Sequence, residues 1–289
     1  MRRLLLVMAL IASACSSGSE ISTTTTAAHA TTTTTTTAVT TSTSSIPTPN
    51  TPATNGVEEC FVEGRPFEQE GFMGRDDAVG DATAISGLSW TDSGDCAAIT
   101  ISFRTAEGAP AVDPPAYRGE FLRDFGVVRI SFGPDMDDSV VSNMTMESAL
   151  LDAAYVVWNP EIGGLAVDVH LGRASLARIR TVSAPARLVI EVIRGGPEIP
   201  TLPEDGASTV LLSPTPETTS LPFVIEGYGP AGSELVLRVR STGPTQARQL
   251  TLEGSPTAWT RFSWTVNTVP SGMAEIEAGD APRMILNLP

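Results

Sequence analysis

Lysine is absent from the 289 residues, so all 18 basic residues are arginine, against 33 acids and a formal charge of −15. An acidic chain of this kind is a poor ligand for polyphosphate, which excludes nucleic acid as a partner, and it has no electrostatic grip on anionic lipid. Histidine occurs twice, cysteine three times, and there is no Cys-x-x-Cys. That set does not support a zinc site. No Gly-x-Ser-x-Gly elbow, glycine-rich phosphate loop or His-Glu-x-x-His is present. The longest apolar run near the N-terminus, residues 4–11, is about eight residues and too short to span a bilayer.

That run is flanked by Arg2 and Arg3 and followed by Ala12-Ser13-Ala14-Cys15. The pattern is that of a bacterial lipoprotein signal peptide over residues 1–14, with Cys15 carrying the lipid. An ordinary secretory signal would cut the same bond. Either way the chain is expected to be exported to the cell envelope, on the outer face of the membrane. Loss of Arg2 and Arg3 would move the formal charge from −15 to −17. Two or more acyl chains, at about 0.8 kcal/mol per buried methylene, would anchor the protein firmly. Cys60 and Cys96 then remain as an even pair in an oxidising compartment, and a disulfide between them would stabilise by roughly 3–4 kcal/mol.

Residues 15–56 hold "TTTTAAHATTTTTTTAVTTSTSSIPTPNTPATNG", a Thr/Ser/Pro-rich segment with a single charge at Glu20. It lacks the apolar area needed to offset ordering entropy, and it is read as a disordered tether reaching about 35 Å on average. Its composition also suits O-glycosylation.

From Val57 the composition becomes globular. "GLAVDVHLG" places Leu165, Val167, Val169 and Leu171 on one face and Ala166, Asp168 and His170 on the other. "ARLVIEVI" and "CAAITISFRT" alternate likewise, and "VVRISFG" and "DAAYVVWN" are β-rich. Period-two alternation predicts antiparallel strands with one wet face. Helical turns are expected only in "PAYRGEFLRDFG" and part of "GRDDAVGDATAI". After the Gly/Pro-rich stretch 197–206, about seven short strands follow: "STVLLSP", "LPFVIEGYG", "SELVLRVRS", "ARQLTLEG", "TRFSWTVN", "GMAEIEAG" and "RMILNLP". Seven strands in some eighty residues is the immunoglobulin-like pattern, without the cysteine pair of antibody domains. The expected fold is mostly β: a sandwich or an open barrel at 57–196, followed by an immunoglobulin-like sandwich at 207–289.

Two resemblances sharpen this. The close of the first domain, "PARLVIEVIRGG", preceded by "CAAITISFRT" and "PPAYRGEFLRDFGVVRISFG", resembles AMIN-like domains. Their last strand commonly runs P-x-R-L-V-hydrophobic-acid-hydrophobic. The resemblance covers about residues 83–194 and implies a β-sandwich module that holds envelope proteins on peptidoglycan or other wall polysaccharide. "VLLSPTPETTSLPFVIEGYGPAGSELVLRVR" with "TAWTRFSWTV" resembles the immunoglobulin-like domain of bacterial spore-germination and related envelope proteins, with Gly232-Ser233-Glu234 where that family carries an aromatic-acid pair. Together the features resemble an actinobacterial-type envelope lipoprotein.

Asp168 and His170 share a strand face, as members of a hydrolytic triad would, but side chains two apart on a strand ordinarily face water. The acidic runs Asp76, Asp77, Asp81 and Asp135, Asp137, Asp138 lack EF-hand spacing and are read as solvated loops. Sugar binding uses exposed aromatic faces beside amides, carboxylates or arginine, which singles out Trp158 with Asn159 and Tyr117 with Arg118. Arg187, in the signature strand, is expected to lay its stem on apolar surface. The sequence therefore points to a non-catalytic envelope protein with no cofactor and no metal. Its expected ligand is wall glycan, with an envelope protein partnered through immunoglobulin-like edge strands, or a hydrolase activity, as alternatives.

Overall fold

A computed structural model describes residues 66–160, 163–200, 206 and 208–289. Cys15, Cys60, the tether and residues 201–205 of the 197–206 stretch lie outside the described residues. The described residues fall in one compact unit. The chain is almost all β.

The first half contains β1 (Gly71–Asp76), β2 (Ala84–Asp92), β3 (Cys96–Arg104), β4 (Tyr117–Leu122), β5 (Val127–Phe132), β6 (Asp138–Ser139), β7 (Asn143–Thr145), β8 (Leu151–Asn159), β9 (Gly164–Leu171), β10 (Ser175–Val182) and β11 (Arg187–Arg194). The second half adds β12 (Val210–Ser213), β13 (Phe223–Pro230), β14 (Glu234–Arg240), β15 (Gln246–Thr251), β16 (Trp259–Val266), β17 (Gly272–Ala278) and β18 (Met284–Leu288). Every strand expected after residue 207 forms. The stretch "PAYRGEFLRDFG" corrects the helical expectation. It makes strand β4, and only Arg123–Phe125 turns as a short 3₁₀ helix. Tyr117, Gly119 and Phe121 alternate with Arg118, Glu120 and Leu122, a period of two that a helix cannot satisfy. "GRDDAVGDATAI" likewise holds no helix.

Three sheets result. One is five-stranded, β10-β11-β3-β2-β6, and one is four-stranded, β15-β14-β17-β18. The third is nine-stranded, β1-β4-β5-β9-β8-β16-β13-β12, with β7 pairing β8. The five-stranded sheet packs on the first half of the long sheet through Ile99, Ile101, Leu188, Ile190, Ile130 and Val167. The four-stranded sheet packs on β12, β13 and β16 through Leu237, Ile276, Leu286, Ile225 and Phe262. Each layer pair is a sandwich whose inward residues alternate with outward ones.

The long sheet crosses from one half to the other by a short parallel pairing, Trp259 opposite Val157 and Thr260 opposite Trp158. It must then curl. Val210, Leu212 and Tyr228 of β12 and β13 cover Val127, Ala153, Tyr155 and Val157 on the outer face of β5 and β8. Tyr155 sets its ring edge-on to Trp259 with centroids 5.2 Å apart, and lies 5.9 Å from that of Tyr228. The face that sequence alternation assigned to water is thus covered over β5, β9 and β8. At this end of the long sheet, β1 and the Arg118–Glu120 part of β4 keep an open outer face, while Leu122 at the end of β4 packs on the cover.

This seam predicts one unfolding step for residues 66–289. Tyr228→Phe, which removes a hydrogen-bond donor from buried Asp168, is expected to cost about 1–3 kcal/mol in urea unfolding. Asp168→Asn, which leaves a buried guanidinium without its counter-charge, is expected to cost about 3–5 kcal/mol. Both should shift the whole transition. A variant that melts the second half alone would contradict the shared seam.

Candidate functional site

The pair Asp168 and His170 is the first place to look for chemistry. Asp168 has 0% and His170 3% of its surface exposed. Neither faces water, so the expectation of a wet face is corrected. The cover comes from β12 and β13, some sixty residues away in the chain. Arg129 on β5 donates to Asp168 through Nε (2.7 Å) and Nη2 (2.6 Å), a two-pronged ion pair. The Tyr228 hydroxyl of β13 donates to the same carboxylate from the other side. Burial pushes the Asp168 carboxyl up, but the charge and hydrogen bonds of Arg129, aided by Tyr228, win and hold it below the usual range. Burial and the carboxylate's charge raise the Tyr228 phenol well above its ordinary value. The cluster is a structural clasp: its acid is saturated with donors and its tyrosine stays protonated.

His170 sits beside this clasp, 5.0 Å from the Tyr155 ring and 6.1 Å from that of Tyr228. Its Nε2 has no hydrogen-bond partner. Burial lowers its pKa to about 4, with Asp168 opposing and Arg129 adding to the shift. It is therefore neutral at physiological pH.

The sequence candidates for sugar contact separate in space. Trp158 is half-buried at the rim of the first core, where the chain before β16 lies on it. A Cβ on Gly254 would come within 2.8 Å of the Trp158 ring, so only glycine permits this approach. Asn159 is buried at the end of β8. Tyr117 is buried at the start of β4, in the first core. Arg118 is exposed on the open outer face, with Nε and Nη2 donating to Glu120 at 3.1 and 2.5 Å. Arg187 is half-buried and its Nε lacks a partner. The acid of the signature strand, Glu191, is fully buried and paired with Arg178 and Arg180. The Arg178 guanidinium stacks 4.4 Å from the Phe67 ring. Cys96 is buried at the head of β3.

Around Arg118 the structure assembles residues that the sequence left scattered. Phe72 on β1 is 54% exposed, and the Arg118 guanidinium lies 6.0 Å from its ring centroid. Beside them runs a groove of about 330 Å³ lined by Arg75, Asp76, Asp77, Tyr117, Arg118, Ser131 and Pro134. It adjoins a second of about 460 Å³ lined by Val79, Thr83, Pro115, Asp135, Met136 and Asp137, sharing Ala116, Gly133 and Pro134. The first acidic run noted in the sequence thus borders one depression and the second run its neighbour. Asp81 pins its wall: its carboxylate accepts from the backbone N–H of Val112 and Asp113 at 2.9 Å, and these bonds hold it below the usual carboxylate range. Asp138 pairs with Arg104 at 2.8 Å and fixes the other wall. Among the described residues no three of His, Cys, Asp and Glu converge as metal ligands do. Phe72 and Arg75 were missed by sequence reasoning, because "GFMGRD" carries no motif and its place beside β4 comes only from the Gly71–Phe121 register.

The His170 environment gives a pH prediction. The unfolded chain takes up a proton near pH 6.5, whereas the folded imidazole resists until about pH 4. Stability is therefore complete above pH 6.5 and falls as pH drops toward 4, by about 3 kcal/mol. Asp168 adds its own loss only below the unfolded carboxyl value. His170→Phe should flatten the dependence of the urea midpoint between pH 6.5 and 4; an unchanged slope would contradict the buried neutral imidazole.

No protein-family model matches this chain, and no curated protein is similar to it.

Proposed function

We propose that this chain is a non-catalytic, lipid-anchored protein of the bacterial cell envelope, and that it holds peptidoglycan or other wall polysaccharide on the open β1–β4 face. The observation that carries the reading is the exposed Phe72 ring under Arg118 beside a groove walled by carboxylates and prolines. A sugar ring stacks its apolar face on such an aromatic, and its hydroxyls bond to arginine and carboxylate. Trp158 packs against the chain before β16 and Asn159 is buried at the end of β8, so the grip moves from them to Phe72 and Arg118.

Placement in the envelope rests on the sequence: the residues 1–14 signal, Cys15 for the lipid, and the threonine-rich tether 15–56. The AMIN-like resemblance supplies the polysaccharide. A Cys60–Cys96 disulfide belongs to the same reading; Cys96 is buried at the head of β3. Holding, as opposed to turnover, is favoured by the fate of the one acid–histidine pair, which is enclosed and committed to the clasp. The alternative, a partner strand added to an immunoglobulin-like edge, is favoured by β18. That strand ends the four-stranded sheet, and Ile285 with neighbouring Met273 is exposed on its outer face.

Retention on purified peptidoglycan is the test. The full chain is expected to sediment with wall material in the absence of other protein. Phe72→Ala with Arg118→Ala should reduce retention about tenfold or more, given about 1–3 kcal/mol for an aromatic stacking contact, with an unchanged thermal midpoint. Sedimentation only when envelope extract is added would favour the β18 reading instead.

A further inference from the structure

We propose that residues 57–65, just before Pro66, dock as a strap on the outer face of the five-stranded sheet, with Cys60 seated at Cys96. The inference concerns a second face of the molecule and does not depend on the polysaccharide reading.

Leu188, Ile190 and Val192 of β11 and Ala97, Ile99 and Ile101 of β3 point into the first core. Strand alternation therefore turns Val189 and Glu191 outward, together with Cys96 and Ala98 on the neighbouring strand. Without cover such a face is wet. Yet Glu191 is 0%, Val189 and Ala98 are 2% and Cys96 is 6% exposed. Val189, Ala98 and Cys96 belong to none of the three apolar clusters. Arg178 of β10 is buried on the same face, opposite Glu191. Phe67 lies on this face too, its ring centroid 4.4 Å from the Arg178 guanidinium. Its neighbour Glu68 bridges to Ala177 of β10 through two backbone hydrogen bonds of 2.7 and 2.8 Å. The chain thus enters at the β10 edge of the buried strip.

Reach, charge and apolar content select the preceding residues as the cover. Cys60 stands seven positions before Phe67, which spans up to about 23 Å when extended. From β10 across β11 to β3 is two strand spacings, about 10 Å. Strands β10 and β11 present Arg178, Arg180 and Arg187 on this face against one acid. Arg178 and Arg180 share Glu191, and Arg187 Nε has no partner. The segment "VEECFVEGR" brings Glu58, Glu59 and Glu63 against Arg65, so an excess of two positive charges meets an excess of two negative ones. Val57, Phe61 and Val62 supply apolar area for Ala98 and Val189. Cys60 then arrives at Cys96. Exchange of the two thiols with a small-molecule disulfide, which leaves as two thiols, closes the bond. The tether departs from β3, the central strand of its sheet, and a pull on the N-terminal end is carried there.

Hydrogen exchange and peptide mapping test this on the full chain in detergent, equilibrated with oxidised glutathione. Amides of residues 58–65 are expected to exchange at least about tenfold more slowly than those of residues 25–45 in the tether. Digestion without reductant should yield one peptide pair joined through Cys60 and Cys96. Replacing Glu58, Glu59 and Glu63 together by glutamine should cut the protection by about fivefold, and raised salt should do the same to the wild type. Cys60→Ser removes the bond and leaves the charges, so its protection should fall but stay above the tether's rate. Residues 58–65 exchanging as fast as the tether in the wild type, free thiols at both cysteines, or protection indifferent to the glutamine substitutions would overturn the proposal.

Discussion

A single carboxylate organises this molecule. Asp168 lies on a central strand with no access to water, and it is stable there only because Arg129 grips both its oxygens and Tyr228 supplies a third donor. A buried ion pair contributes little net stability relative to an apolar substitute, but removing one partner is costly. Its effect is on specificity. Arg129 and Asp168 come from the first half and Tyr228 from the second, so the third donor reaches the carboxylate only when β13 lies across β9. The clasp thus fixes where the second sandwich sits, and the apolar contacts of Tyr155, Val157, Val210 and Leu212 supply the area around it.

That placement decides what remains for binding. The second half occludes β5, β9, β8 and the Leu122 end of β4, and stops short of Arg118 and β1. The outer strip with Phe72, Arg75 and Arg118 is left open, and the loops carrying Asp76 and Asp135 rise at its end. Asp81 and Asp138 hold those loops by bonds to backbone and to Arg104. Their neighbours Asp76, Asp135 and Asp137 are consequently presented to solvent on fixed walls.

Strand identity was legible in the sequence wherever period two was strong. Leu165, Val167, Val169 and Leu171 face the core as their spacing requires, and so do Leu188, Ile190 and Val192. The error over β4 has a local cause. Gly119 breaks the apolar rhythm, and Ile179 Cδ1 fills the space that a side chain there would take. What alternation cannot reveal is which outer face another part of the chain will cover. Ala166, Asp168 and His170 read as solvent-facing until Tyr228 is seen to cross them. The groove was half legible: both acidic runs stood out, but their meeting depends on β6 pairing with β2 and β1 with β4, contacts that span many residues and follow no motif.

The central claim is that one buried charge cluster makes two sandwiches a single cooperative body, and native-state hydrogen exchange tests it most directly. Amides of β9 and β13 should open together, with the same free energy and the same dependence on denaturant, because neither strand can expose its side of the clasp alone. If β13 amides exchange through a smaller opening while β9 stays protected, the halves are independent and the account fails.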